Sequence, residues 1–253
     1  MMDLEICVDS VESALAAQRG GAQRIELCSA LAEGGLTPSG GLIRAVRSKV
    51  SIGVYVMIRP RGGDFLYSEE ELDVMRDDIA RARDLGANGV VFGLLTADGV
   101  VDIEKTAELV ELARPMEVTF HRAIDMTRDL GEALESVLLT GARRVLTSGG
   151  AQSALLGMTG VATLVHLAKD RIAVMVCGNV RPENVAQIAV ATGATQFHAA
   201  LRSAVPSPVT YRNPGLSMGD EGSDEYTRYA VRPEDVRRLR QTINAIGAVT
   251  VSK

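Results

Sequence analysis

The sequence predicts an α/β protein folded as a TIM-type (β/α)8 barrel, and three observations carry that expectation. Short β-like runs alternate with helix-length amphipathic stretches from end to end, giving eight βα units, the number that closes a barrel. The chain has 253 residues, 46% of them apolar. One such barrel needs roughly 250 residues, so 1–253 reads as a single domain. Several strands carry charged or soft side chains on one face and apolar ones on the other, as in Glu5-Ile6-Cys7, Arg24-Ile25-Glu26-Leu27-Cys28 and Thr119-Phe120-His121. In a barrel wrapped by helices the apolar face meets the helices and the polar face looks into the barrel.

Each unit follows in order. The first strand, 4–8, puts Ile6 and Val8 on one face and Glu5, Cys7 and Asp9 on the other, because strands alternate with period 2. A helix at 11–19 follows. The second strand, 24–28, turns Glu26 and Cys28 inward, and its helix, 39–48, is entered through Thr37-Pro38-Ser39. The third, 52–58, turns Tyr55 and Met57 inward, with Arg59 next on that face. Its helix, 69–85, opens on Ser68, and Ser68-x-x-Glu71 fits a capping box with an acidic first turn. Strand 89–93 and helix 102–113 form the fourth unit. Strand 117–122 presents Glu117, Thr119 and His121 before a helix at 129–140. Strand 143–147 ends at Ser148 and feeds a helix at 159–169. Strand 172–177 is apolar on both faces, so two phases stay open. One of them turns Met175, Cys177 and Asn179 inward. A helix at 182–192 begins with Pro182 and Glu183 in its first turn. The last strand, 195–199, gives Gln196 and His198, and a helix at 232–246 closes the chain. Gly20-Gly21-Ala22, Gly86-Ala87, Gly141-Ala142 and Gly193-Ala194 each follow a helix, where glycine supplies a left-handed C-cap. Residues 201–230 have no helical period and are rich in Pro, Ser and Gly. They read as a long loop after the eighth strand, a lid or a subunit contact.

Composition narrows the function classes. A net charge of −5 and a pI near 5.4 argue against nucleic-acid or acidic-membrane binding. The absence of Trp, with 4% aromatics, disfavours a stacking platform for single strands. No apolar run approaches the roughly 18 residues needed to span a bilayer. The acidic start, Met1-Met2-Asp3-Leu4-Glu5, lacks the basic region of a signal peptide. Three cysteines do not make a disulfide framework, so the expected home is the reducing cytoplasm.

The inward set supports two chemistries. Cys, Met and His together favour a soft metal, Cu(I) before Zn(II), with Cys7 and Cys28 on neighbouring strands. The same residues also suit a substrate pocket in which Glu26, His121 and Arg59 run acid–base or lyase chemistry on a small anionic metabolite. Glu5 and Glu26, as buried acids, need partners, and Arg59, Arg122 or His121 are expected to supply them. The loops after the strands suit an anion: Arg59 and Arg61 in the first, Arg122 after His121, Ser148 and Gly149 after the sixth strand, Gly178 and Asn179 after the seventh. The lysines, Lys49, Lys105, Lys169 and Lys253, all fall outside strands, which excludes a Schiff-base aldolase. A third possibility is a non-catalytic oligomeric scaffold.

Taken together, Leu4-Glu5-Ile6-Cys7, Arg24 to Cys28 with Glu33-Gly34-Gly35-Leu36-Thr37-Pro38-Ser39, Ile58 to Phe65, Thr119 to Ala123, Val145 to Gly149 and the Tyr211-Arg212-Asn213 to Tyr229 tail resemble the CutC copper homeostasis family. The resemblance spans essentially the whole chain. It implies a cytoplasmic TIM-type barrel, a homo-oligomer (dimer or tetramer), and Cu(I) held by Cys7 and Cys28. Cys177-Gly178-Asn179 departs from the family's glycine-richer loop, so Cys177 is not an implied ligand.

Overall fold

The structure, a computed structural model, describes residues 2–213, 215–216 and 225–251. Eight parallel strands close into a barrel in chain order: β1 (Asp3–Val8), β2 (Arg24–Leu27), β3 (Gly53–Met57), β4 (Gly89–Phe92), β5 (Glu117–Phe120), β6 (Arg144–Thr147), β7 (Ala173–Val176) and β8 (Gln196–Ala199). The helices that follow them are α1 (Val11–Arg19), α2 (Gly40–Arg47), α3 (Glu69–Asp84), α4 (Ile103–Ala113), α5 (Leu130–Leu139), α6 (Met158–Ala168), α7 (Val185–Thr192) and α8 (Pro233–Val251). The predicted TIM-type barrel is therefore the observed fold.

Local chemistry explains the starts and stops. Ser39 caps α2 by accepting from the Leu42 amide, and Ser68 and Glu71 make the full capping box of α3. Gly21, Gly86, Gly141 and Gly193 adopt the left-handed conformation expected where each helix turns back to the sheet. One entry differs. Arg181-Pro182-Glu183 lies outside α7, which starts at Val185 behind Asn184. The Asn184 side chain accepts from the Arg181 amide and donates to Asn179 O, tying these residues into a turn instead.

Alternation sorts the core as the pattern demands. Leu4, Ile6 and Val8 join the large apolar layer between strands and helices, whereas Cys7, Cys28, Tyr55, Met57 and Val91 form a separate cluster inside the barrel. The inward phase of β7 is settled by Met175 and Cys177, which cluster with Leu146.

The lower interior is polar and paired. Arg24 Nη2 and Arg144 Nε both donate to Gln196 Oε1, at 3.0 and 2.9 Å, and Glu117 accepts from Tyr55 Oη at 2.7 Å and from Arg144. Both guanidinium groups lie over the Tyr55 ring.

The 201–230 segment needs one correction. Its ends pair as an antiparallel ribbon of β9 (Arg202–Pro206) and β10 (Thr227–Val231). Twenty intervening residues hide that pairing from any local hairpin signal. Of the segment, 214 and 217–224 lie outside the described residues, as does Lys253.

Candidate functional site

A cavity of about 300 Å³ opens at the C-terminal ends of the strands, the end of a TIM barrel where sites are built. Cys7 and His198 lie at its base with Glu26, while Arg59, His121, Arg122, Gly178, Asn179, Arg181 and Arg202 line it higher up.

The base is a chain of polar contacts. Arg24 Nε donates to Glu5 Oε2 at 2.9 Å, and Glu5 Oε1 meets His198 Nδ1 at 2.7 Å. The other ring nitrogen, His198 Nε2, lies 3.8 Å from Glu26 Oε2. Donor atoms of Cys7, Glu26 and His198 all lie within 4.8 Å of one another. Cys28 Sγ stands 3.9 Å from Cys7 Sγ and 3.6 Å from Glu26 Oε2. All three cysteines are free thiols.

The partners of the buried acids thus differ from expectation. Glu5 is paired by Arg24 and His198, and the nearest charge to Glu26 is His198. Neither acid pairs with Arg59, Arg122 or His121. The reason is depth: Glu5 sits one step below Cys7 on β1, level with Arg24 on β2 and His198 on β8.

This packing sets the charges. Burial opposes ionisation of Glu5, but the His198 hydrogen bond and the positive charge of Arg24 outweigh it and bring the carboxyl down to about 2. The Cys28 thiol and, more weakly, His198 lower Cys7 to about 5 against the cost of burial. Cys28 moves the other way, well up, because it is the thiol beside that sulfur and is itself buried. Burial pushes Glu26 well above the carboxylate range. His198 rises well above its usual value because Glu26, Cys7 and Glu5 surround it, despite its burial.

His121 is a different kind of histidine. It is 4% exposed, and burial, with Arg59 nearby, brings its pKa down to about 3. Its Nδ1 accepts the Ala123 amide at 3.3 Å, so the neutral ring carries its proton on Nε2, which has no partner among the described residues. It is poised to donate a hydrogen bond.

The predicted anion residues separate into two groups. Arg59, Arg122, Gly178 and Asn179 line the cavity. Arg61 does not. It is tied to Asp64 and to Glu71 in the first turn of α3. Ser148 and Gly149 are also outside the lining, and the Ser148 loop already holds a carboxylate. Asp125 Oδ1 accepts from Thr147 Oγ1 at 2.6 Å and from the Gly150 amide at 3.0 Å, and Oδ2 accepts from Ser148 N and Oγ, each at 3.0 Å. Arg122 Nε joins the same carboxylate at 2.9 Å. Gly149 is needed for packing, since a Cβ there would sit 2.2 Å from Gly157 O at a φ of +75°. The charged cavity residues that the sequence pattern did not single out are Arg181 and Arg202, neither on a barrel strand. His198 was placed inward but not joined to Cys7, because that contact spans the closure of the barrel.

Comparisons with known proteins agree on the family. A family model described as CutC family matches residues 2–203. A Mus musculus protein named copper homeostasis protein cutC homolog is 51% identical over 243 residues, covering 96% of this chain and 88% of its own. A Chromobacterium violaceum family protein CutC is 49% identical over 241 residues, covering 95% and 98%. Among solved structures, the putative copper homeostasis protein CutC of Streptococcus agalactiae matches with a TM-score of 0.74 at 33% identity, covering 78% of this chain and 98% of that one.

Proposed function

The chain belongs to the CutC family, and from that premise we propose that it binds Cu(I) at the base of the cavity through Cys7 and Cys28, as a cytoplasmic copper homeostasis protein. One observation carries the reading: two free sulfurs, 3.9 Å apart, beneath an open cavity. Two thiolates at that separation reach one ion with metal–sulfur bonds of about 2.3 Å and an S–metal–S angle of about 115°. Soft sulfur donors select Cu(I). Met57, in the same cluster and lining the cavity, offers a thioether of the same kind. His198 and Glu26 complete the surroundings, the former as a nitrogen donor.

Metal binding must release the Cys28 proton. We read the protein as a homo-oligomer, dimer or tetramer, which sedimentation tests directly. The copper reading is tested by anaerobic Cu(I) titration of the reduced protein against a chelator of known affinity. The expected result is one Cu(I) per chain, with binding weakened at least about a hundredfold in Cys7→Ser and Cys28→Ser. Binding unchanged in both variants would overturn it.

A further inference from the structure

A bare cuprous ion would meet the wrong charge on its way in. Four arginines line the cavity, Arg59, Arg122, Arg181 and Arg202, against one carboxylate, Glu26. Glu26 lies beside His198, 3.8 Å away, so it does not offset the arginines. Arg122 is paired with Asp125 at 2.9 Å and Arg202 with Asp9 at 3.5 Å. Arg59 and Arg181 have no ion-pair partner among the described residues. The Arg59 Nη atoms are held by the carbonyls of Glu33, Gly35 and Gly63, which solvate its charge without cancelling it. Among the described residues the Arg181 guanidinium donates only to its neighbour's carbonyl, Val180 O. Two further donors, His121 Nε2 and Arg59 Nε, are buried without partners among the described residues, and both side chains pack on Phe65. Buried donors left unmade cost free energy, and a ligand that accepts from them recovers it.

We propose that the species entering this cavity is an anion: Cu(I) carried as the thiolate complex of a small carboxylated thiol, whose carboxylates meet the arginines and the His121 donor while its copper passes to Cys7 and Cys28. This rests on the copper reading above and adds the form in which the ion arrives. The transfer is a ligand exchange. Two copper–sulfur bonds to the carrier break and two to Cys7 and Cys28 form. Cys28 gives its proton to one departing carrier sulfur, the other carrier sulfur leaves as a thiolate in exchange for the Cys7 thiolate, and copper stays in the +1 state throughout. The apolar side chains in the lining, Leu31, Phe65 and Leu146, suit the carbon body of such a carrier.

The test uses three carriers of similar size, each with one primary alkyl thiol: the Cu(I) complexes of 3-mercaptopropionate, 2-mercaptoethanol and cysteamine, whose free ends are negative, neutral and positive. Reduced protein is mixed anaerobically with each, quenched by rapid desalting, and analysed for bound copper over time. The expected order of loading rates is mercaptopropionate, mercaptoethanol, cysteamine, with about a tenfold span between the first and last that shrinks as salt is raised. Arg181→Ala should cut the mercaptopropionate rate and leave the mercaptoethanol rate and the equilibrium affinity unchanged. Equal rates from all three carriers, with tight equilibrium binding intact, would overturn the anionic carrier and leave the copper site standing. Loading from none of them, matched by no binding in the chelator titration, would overturn both.

Discussion

Cys7 and Cys28 touch, yet their surroundings push them in opposite directions. The Cys28 thiol and His198 bring Cys7 to about 5, whereas Cys28 is driven well up by its neighbouring sulfur and by burial. The thiolate is the nucleophile, so alkylation of Cys7 by iodoacetamide should be already on its plateau by about pH 6.5. An ordinary thiol keeps gaining rate through about pH 8.5. His198→Asn should move the Cys7 profile toward that ordinary curve, as peptide mapping of the modified cysteine would show. Glu5 supplies a second prediction. Its carboxyl is held near 2, below the usual 4.5, so it stabilises the fold fully above 4.5 and loses that contribution as pH falls from there through 2. Glu5→Gln leaves Arg24 and His198 facing an uncharged amide, and should cost about 3–5 kcal/mol at neutral pH by urea denaturation. The deficit should narrow below pH 4.5. A variant equally unstable at pH 7 and pH 3 would contradict the role given to the charge. Much of this was legible in the sequence: alternation alone turned Glu5, Cys7, Glu26 and His198 inward. Their pairing was not, because His198 and Glu5 are 193 residues apart and meet only when β8 closes on β1.

Among the elements, the loop between β6 and α6 shows why a glycine-rich turn is an ambiguous signal. Ser148-Gly149-Gly150 has the look of an anion cradle, and it is one, but the anion is the chain's own Asp125. Nothing local to the loop says that a carboxylate 23 residues earlier will fill it. Gly149 serves packing, and comparison with Gly99 isolates that effect. Both have positive φ, +75° and +71°, but a Cβ at Gly99 meets nothing within 4 Å, whereas at Gly149 it would strike the Gly157 carbonyl. Gly99→Ala should therefore cost only the left-handed penalty, about 1–2 kcal/mol. Gly149→Ala should cost more, about 2–4 kcal/mol, since backbone must move as well. Equal losses in the two variants would show that the close approach to α6 is not tight.

Over the whole molecule, the barrel divides its interior by depth. A paired network of Arg24, Arg144, Gln196, Glu117 and Tyr55 plugs the lower end. Soft and titratable groups occupy the middle, and arginines ring the open end. No helix among the described residues is long and apolar enough to cross a membrane. The barrel itself was legible from the count of βα units and the alternation within strands. The arginine ring was only half so. Arg59 and Arg122 continue strands whose faces can be followed, but Arg181 and Arg202 reach the cavity from a turn before α7 and from β9.

The chelator competition with Cu(I) is the most direct test of the central claim, that the paired sulfurs at the base of the barrel are a copper site. Tight binding of one Cu(I) per chain, lost in Cys7→Ser and in Cys28→Ser while both variants stay folded by circular dichroism, is the predicted result. Binding that survives both substitutions, or that is no tighter than an exposed thiol's in the unaltered protein, would contradict it.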